Sequence, residues 1–181
     1  MKIKTGRFMD KYPYIKVGTG PDWAVICPGS EDLLISDVKM ARFYANLYKN
    51  LFPNNYSLLV IGYQPGMPEG TTPQMIADDF ATIVEKETGP AVVLGISFGG
   101  FVAMANVITC VATEVLSSIK TPTIFLAGTR DQIFPPESCK KTVALIRGSK
   151  IEFFDGETHT LFIERTKACS KVIASFLSTM K

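Results

Sequence analysis

A serine flanked by glycines lies in the middle of the chain, where a strand pattern changes into a helix pattern. The pentapeptide Gly95-Ile96-Ser97-Phe98-Gly99 follows the apolar run 91–94 and opens a segment with helical patterning. A strand that turns sharply into a helix leaves no space for side chains beside the turn, and the two glycines meet that requirement. The helix also brings free N–H groups and the positive end of its dipole to the serine. The pattern therefore predicts a nucleophile elbow with Ser97 as the nucleophile.

A serine nucleophile needs a base, and the base needs an acid. The chain has one histidine, His159, in a polar turn between a strand pattern and a final amphipathic helix, and Asp131 follows the strand pattern 122–127. Imidazole can take the proton of a serine hydroxyl, and a carboxylate holds the imidazole in the required tautomer. All three residues follow strand patterns, in the chain order Ser, Asp, His that this kind of elbow requires. We therefore predict a catalytic triad of Ser97, Asp131 and His159.

These motifs resemble the α/β-hydrolase fold superfamily, in its serine-hydrolase, esterase-like branch. The resemblance covers most of the chain and is carried by four segments: the elbow 95–100, the acid loop 128–135, the base loop 156–160 and the strand and turn 23–30. The last of these looks like the strand and turn that often end in His-Gly in this family. Here Pro28 stands at the position of that histidine, so the residues Pro28-Gly29 also fit an ordinary turn.

The resemblance implies a set of binding residues around the triad. It assigns the oxyanion to the backbone N–H groups of Phe98 and Ser30. Side chains near the expected acyl site are predicted to contact the substrate: Leu33, Tyr63, Ile133, Phe134 and Leu161, together with Phe98. Each of them also fits an ordinary core or loop position. The predicted chemistry is acyl transfer to water, which calls for no metal and no organic cofactor.

Apolar strand patterns alternate with amphipathic helix patterns along the chain. Strands are predicted at 14–17, 23–27, 56–62, 91–94, 122–127 and 150–154, and helices at 36–50, 72–88, from the elbow onward, at 136–147 and up to about 180. The first two strands, split by the turn 18–22, are predicted to form an opening hairpin. The alternation indicates an α/β fold, a mostly parallel sheet with helices on both faces in a three-layer α/β/α arrangement. At this length we expect one domain over residues 1–181.

The segment after the elbow is short. Only Val102–Lys120 separates the elbow from the next strand, whereas most members of the superfamily insert a cap or lid there. The run 105–112 fits either the end of the helix or a compressed strand. We therefore predict a hydrolase core without a lid, shortened at 105–120, with an open acyl site that favours small esters. A naturally minimal enzyme, an engineered deletion and an omitted segment all fit this pattern.

Composition agrees with a small enzyme and disfavours several other classes. The chain has 181 residues, 46% of them hydrophobic, and 19 basic against 17 acidic residues give a net charge of +2. The basic residues are scattered, which disfavours a nucleic-acid groove or a membrane surface. The four cysteines are far apart and are predicted to be reduced thiols, forming neither a disulfide frame nor a zinc site. With no signal-peptide pattern and no membrane-length apolar run, the expected location is cytoplasmic.

Together these features predict a serine hydrolase of the carboxylesterase type that cleaves small carboxylic esters. Its partners would be a small acyl substrate and water, and apolar surface left open by a missing lid would favour homo-oligomers. The same triad would serve a thioesterase, an acyltransferase or a carbon-carbon bond hydrolase. A dehalogenase is disfavoured, because that branch uses an aspartate at the position of Ser97. The alternative that is not an enzyme is a ligand-binding domain whose triad is catalytically inactive. The presence of all three triad residues argues against it.

Overall fold

The computed structural model describes residues 3–29, 38–64, 66–107 and 120–180, and its elements alternate as predicted. The first part of the chain contains β1 (Ile3–Phe8), β2 (Tyr12–Val17), β3 (Asp22–Cys27), α1 (Val38–Lys49), β4 (Tyr56–Ile61), α2 (Pro73–Glu87), β5 (Val92–Gly95) and α3 (Phe98–Val107). The second part contains β6 (Ile124–Gly128), α4 (Pro136–Leu145), β7 (Lys150–Phe154), α5 (Leu161–Glu164) and α6 (Thr166–Ser178).

The chain divides into two compact units, and each is described by itself. The first unit comprises Met1–Lys49 and Pro53–Asn106, and the second comprises Asn50–Phe52 and Val107–Lys181. The single domain over residues 1–181 stays a prediction. The same holds for the lid, because residues 108–119 lie outside the described part, as do the predicted start of the helix 36–50 and the end of the run 105–112.

The first unit contains a five-stranded sheet in the order β1-β2-β4-β3-β5. β3 is parallel to both β4 and β5, whereas β2 is antiparallel to β1 and to β4. The predicted hairpin between strands 14–17 and 23–27 is wrong, because β2 and β3 pair with opposite edges of β4. The nearly continuous burial of β3 is typical of a central strand in a parallel sheet, which needs a crossover connection.

The hairpin lies one connection earlier, between β1 and β2. Its two central residues, Met9 and Asp10, have φ angles of +52° and +54°, and Lys11 N donates to Phe8 O at 2.9 Å. Positive φ at both central positions matches the right-handed twist of the strands that such a turn joins. The turn lacks the Asn-Gly or Asp-Gly pair that usually reveals this geometry in a sequence, so the pattern analysis missed it.

Helices cover both faces of this sheet. On one face, buried residues of β3 and β4 form a single cluster with α2 and α3, and its members include Val25, Cys27, Leu59, Ile61, Ile76, Phe80 and Val102. The alternate strand residues Ala24, Ile26, Leu58 and Val60 are also fully buried and point to the other face. Since α1 packs against β2 and buries Ala41, Ala45 and Tyr48, it covers that second face. The predicted α/β fold class is confirmed.

The start of α2 is an example of local sequence deciding local structure. Thr72 caps the helix with its side chain, which accepts from the Met75 N–H at 3.2 Å, and Pro73 occupies the first helical position. The missing N–H of proline costs nothing at that position, because no acceptor is available within the helix. The predicted helix start is therefore confirmed.

The second unit is built on a parallel pair, β6 and β7. Their register runs from Ile124 opposite Lys150 to Gly128 opposite Phe154, so both strands end at the same edge. α4 packs against both strands. The single closing helix of the prediction is instead the short α5 followed by α6, which buries Cys169, Ile173 and Leu177. In the parts of the chain that the structure describes, no helix combines the length and apolar character needed to span a membrane.

Candidate active site

Ser97 lies between the end of β5 and the start of α3, in a strained backbone conformation. Its φ is +53°, and the other two described residues with positive φ that are not glycine are Met9 and Asp10 in the hairpin turn. Outside glycine, this conformation costs about 1–3 kcal/mol and persists only where its surroundings enforce it. A serine in this conformation at a strand-to-helix turn has the backbone geometry of a nucleophile elbow.

The flanking glycines have no room for a side chain. A Cβ on Gly95 would lie 2.5 Å from Gly99 O and 2.6 Å from the Cα of Gly100. A Cβ on Gly99 would overlap the carbonyl oxygens of Cys27 and Pro28, at the end of β3. The steric need for both glycines, predicted from the sequence, is confirmed, and the obstruction is backbone that cannot swing away.

Gly99→Ala and Gly100→Ala should separate the steric requirement from helix propensity. We expect Gly99→Ala to destabilise the protein by about 3 kcal/mol or more, since backbone at the end of β3 must shift. Gly100, one residue further in the same helix, has nothing within 4 Å of its Cβ position. Gly100→Ala should therefore stabilise the protein by about 0.5–1 kcal/mol. Urea unfolding of both variants gives the difference, and equal effects would contradict the close packing at Gly99.

The backbone N–H groups of the first turn of α3 differ in whether they have a hydrogen-bond acceptor. Gly99 N donates to Ile96 O at 2.8 Å, and Gly100 N donates to Ser97 O at 2.9 Å. Among the described residues, the N–H of Phe98 has no hydrogen-bond acceptor. An N–H of this kind at a helix start attracts negative charge, because it adds to the helix dipole. The position next to Ser97 is thus suited to an oxyanion.

The turn after β3 lies against the elbow. Ile96 N donates to Cys27 O at 3.0 Å, and a Cβ on Gly29 would be 3.5 Å from the Cβ of Ser97. The strand and turn singled out in the sequence therefore reach the serine. Ser30 and Leu33 lie outside the described residues, so their predicted roles stay predictions.

Asp131 and His159 form a closely bonded pair in the second unit. One carboxylate oxygen of Asp131, Oδ2, is 2.8 Å from His159 Nδ1. The other, Oδ1, accepts from Ile133 N at 2.8 Å and from Phe134 N at 2.9 Å. Burial by itself would raise the pKa of Asp131, but the hydrogen bonds from Phe134, His159 and Ile133 together hold it below its ordinary value. Asp131 therefore remains a carboxylate at neutral pH and favours the proton on Nδ1 of His159.

Main-chain hydrogen bonds tie the acid loop to the base loop. Thr129 N donates to Phe154 O at 3.0 Å, and Arg130 N donates to Glu157 O at 2.9 Å. Gly128 lies so close to the base loop that a Cβ there would be 2.6 Å from the carbonyl carbon of Glu157. The separation between acid and base is therefore set by strand register and backbone pairing.

The predicted substrate side chains differ in their exposure. Tyr63 and Leu161 are buried, at 1% and 6% exposed, and their roles as substrate contacts stay predictions. Ile133 is 64% exposed. Phe134 is partly buried, with its ring centroid 5.4 Å from that of His159. Leu33, as noted, lies outside the described residues.

Sequence reasoning missed the groups that orient the acid. The N–H donors of Ile133 and Phe134 hold the Asp131 carboxylate, although the prediction used only their side chains. An aspartate that accepts from the backbone two and three residues further on is a common turn-former. The spacing after Asp131 could therefore have indicated this role.

A cavity of about 200 Å³ in the first unit lies beside Lys11, Tyr12 and Asp79. None of the predicted site residues lines it. Two of its charged groups pair with each other, since Lys11 Nζ donates to Asp79 Oδ2 at 2.9 Å, and Tyr12 Oη donates to the same oxygen at 2.6 Å. We therefore give this cavity no role in the chemistry of Ser97.

Solved structures of known hydrolases share this fold. An α/β-hydrolase enzyme from the metagenome of Mar Chica lagoon sediments, in Morocco, is 16% identical, with a TM-score of 0.75 over 99% of each chain. A meta-cleavage product hydrolase from Pseudomonas fluorescens is 14% identical, with a TM-score of 0.76 over 94% of this chain and 95% of that one. A thermophilic esterase from Thermogutta terrifontis is 15% identical, with a TM-score of 0.68 over 99% of this chain and 98% of that one. The chain thus has the α/β-hydrolase fold.

A family model matches the C-terminal part of the chain. Residues 104–181 match the model of the α/β-hydrolase family described as TAP-like protein, a segment that includes Asp131 and His159. No curated protein matches the sequence. Over residues 104–181 the chain is thus similar to this family, and its fold is that of the α/β hydrolases.

Proposed function

We propose that the protein is a serine hydrolase that cleaves small carboxylic esters through an acyl-enzyme. The observation that carries the proposal is Ser97, held at a φ of +53° beside the N–H of Phe98 at the start of α3. Strained backbone of this kind clusters at active sites, and an elbow exposes the serine hydroxyl beside donors for an oxyanion. The Asp131–His159 pair supplies the acid and base that this serine needs.

In the proposed acylation step, Ser97 Oγ attacks the ester carbonyl carbon while His159 Nε2 takes the hydroxyl proton. The Asp131 carboxylate, 2.8 Å from Nδ1, stabilises the imidazolium that forms. The N–H groups of Phe98 and Ser30 stabilise the oxyanion, and Ser30 enters on the family resemblance. The imidazolium then protonates the leaving alkoxide as the tetrahedral intermediate collapses to acyl-serine.

Deacylation reverses the roles of the attacking and leaving groups. His159 takes a proton from water, the resulting hydroxide attacks the acyl carbon, and the proton passes to Ser97 Oγ as the carboxylic acid leaves. The mechanism requires Ser97 Oγ and His159 Nε2 to come within about 2.6–3.2 Å of each other. A water-accessible site, expected from the short stretch after α3, favours small acyl groups.

Carbon-carbon bond hydrolysis is the second candidate. The specific observation in its favour is the likeness to the meta-cleavage product hydrolase, at a TM-score of 0.76. A panel of aryl esters of increasing acyl length, together with a vinylogous 1,5-diketone, distinguishes the two activities. Ester turnover with no cleavage of the diketone supports the proposed function, and the reverse result supports the second candidate.

Labelling with a fluorophosphonate probe is the direct test of the proposal. We expect one probe molecule per protein, with the modified peptide carrying the phosphonate on Ser97. Heat-unfolded protein is the control and should not be labelled, because activation of the serine depends on the folded site. A folded protein that resists the probe and leaves short aryl esters intact would overturn the proposal.

A further inference from the structure

Tyr63 is buried at the end of β4, although the sequence suggested a substrate contact. It is 1% exposed, its ring stacks on Phe80 with centroids 6.0 Å apart, and it meets the ring of Phe98 edge-on at 5.2 Å. Phe98 is the residue directly after the proposed nucleophile. The ring of Tyr63 therefore packs against the start of the elbow helix.

The hydroxyl of Tyr63 is bonded to the turn that faces the serine. Tyr63 Oη donates to Pro28 O at 2.7 Å, in a fully buried contact. The preceding carbonyl, Cys27 O, accepts from Ile96 N at 3.0 Å. Two successive carbonyl groups of this turn are thus fixed, one by the elbow and one by Tyr63. Since a peptide unit is planar, fixing Pro28 O also fixes the plane of the Pro28–Gly29 peptide.

We infer that Tyr63 is a positioning residue, whose hydroxyl sets the direction in which the turn after β3 approaches Ser97. Gly29 is the next residue, and its Cβ position is 3.5 Å from the Cβ of Ser97, so a rotation of this peptide changes the space around the nucleophile. The chain continues from Gly29 to Ser30, the proposed second oxyanion donor. The inference rests on the proposed function and adds to it a residue that does not touch the substrate.

Tyr12 provides a matched control in the same core. It is 4% exposed, it meets Phe80 edge-on at 5.1 Å, and its hydroxyl donates to Asp79 at 2.6 Å. Tyr12 and Tyr63 belong to one buried cluster, and each loses one hydrogen bond on replacement by phenylalanine. The difference between them is the acceptor, a side chain for Tyr12 and the turn beside Ser97 for Tyr63.

The experiment compares Tyr63→Phe with Tyr12→Phe in kinetics and thermal unfolding. We expect both variants to lower Tm by about 2–4 °C, because each loses the hydrogen bond that its tyrosine hydroxyl donates, buried for Tyr63 and partly buried for Tyr12. Tyr63→Phe should also lower kcat by about 10-fold to 100-fold with KM changed less than about two-fold, since a shift of the turn at Gly29 beside Ser97 weakens binding of the transition state. Tyr12→Phe should keep kcat within about two-fold of the wild type.

Two further measurements separate positioning from general loss of structure. An aryl boronic acid mimics the tetrahedral intermediate, so its affinity should fall in Tyr63→Phe by the same factor as kcat/KM. The fluorophosphonate should still label the variant to completion, because the nucleophile and the base are unchanged. An unchanged kcat in Tyr63→Phe, or equal losses of kcat in both variants, would overturn the inference. Failure of the proposed function is a different result, namely a wild-type protein with no labelling and no turnover.

Discussion

Replacing Ser97 by alanine is expected to lower kcat for a short aryl ester by about 10⁶-fold, and His159→Ala should be nearly as damaging. Members of a triad act as a unit, so the loss of either the nucleophile or the base removes the same step. Initial rates with p-nitrophenyl acetate at high enzyme concentration measure the residual activity. Wild-type-like turnover in His159→Ala would show that another group acts as the base.

A second serine provides the control for Ser97. Ser57 is 3% exposed and its hydroxyl donates to Gly20 O at 2.7 Å, so Ser57→Ala should cost about 1 kcal/mol of stability and leave kcat unchanged.

Ser97→Gly should also be inactive, but more stable than Ser97→Ala by about 1 kcal/mol, because glycine adopts the positive φ without strain. If Ser97→Gly is not the more stable of the two, the elbow stores no strain.

Replacing Asp131 by asparagine is expected to lower kcat by about 10⁴-fold with little change in fold. The amide oxygen can still accept from the N–H groups of Ile133 and Phe134. The amide nitrogen would then face His159 Nδ1 and donate to it, leaving the proton on Nε2. In that tautomer the imidazole cannot take the proton of the serine. The measurement is kcat under saturating substrate.

Asp155 supplies the matched control for Asp131. It lies between β7 and the base loop, is exposed, and accepts from Thr129 Oγ1 at 3.1 Å. Asp155→Asn removes a charge from the same loop pair but does not touch the imidazole, so kcat should stay within about two-fold. Equal losses in the two variants would mean that charge alone, and not the tautomer of His159, governs the rate.

The substitution Asp131→Asn also tests the lowered pKa of Asp131. A carboxyl group whose pKa is lower in the folded state contributes stability that is complete above its unfolded pKa of about 3.9 and is lost as pH falls through the folded value. The stability difference between wild type and Asp131→Asn should therefore be constant near neutral pH and shrink in acid. Urea unfolding between pH 7 and pH 3 measures it, and a difference that grows in acid would contradict the lowered pKa.

The elements that could be predicted from sequence are those with a local physical cause. The helix start at Thr72, Gly95 of the elbow and the strand 150–154 depend on near neighbours, and the structure has them where the pattern indicates. The hairpin prediction failed because pairing is decided between distant segments. A turn of two residues at Met9 and Asp10, with no glycine, gave no signal, whereas the glycine-rich turn 18–22 gave a misleading one.

The candidate site also has features that the sequence predicted and features that it did not. The residue types and their order along the chain pointed to Ser97, Asp131 and His159, and the structure brings Asp131 and His159 together at 2.8 Å. The side chains around the triad could not be predicted, because the sequence pattern of an aromatic residue that lines a pocket is the same as that of one in the core. Tyr63 is such a case, since its burial depends on Phe80 and Phe98 meeting it from two other elements.

The pairing of β6 with β7 has a consequence for how such a protein can diversify. Main-chain atoms hold the acid loop to the base loop, through Thr129 N to Phe154 O and Arg130 N to Glu157 O. Nearly every side chain on these strands can therefore be exchanged without moving the carboxylate relative to the imidazole. A single inserted or deleted residue in either strand shifts the register by about 3.3 Å and separates the pair. Across descendants of such a chain, substitutions in β6 and β7 other than at Gly128 should accumulate more readily than changes in strand length.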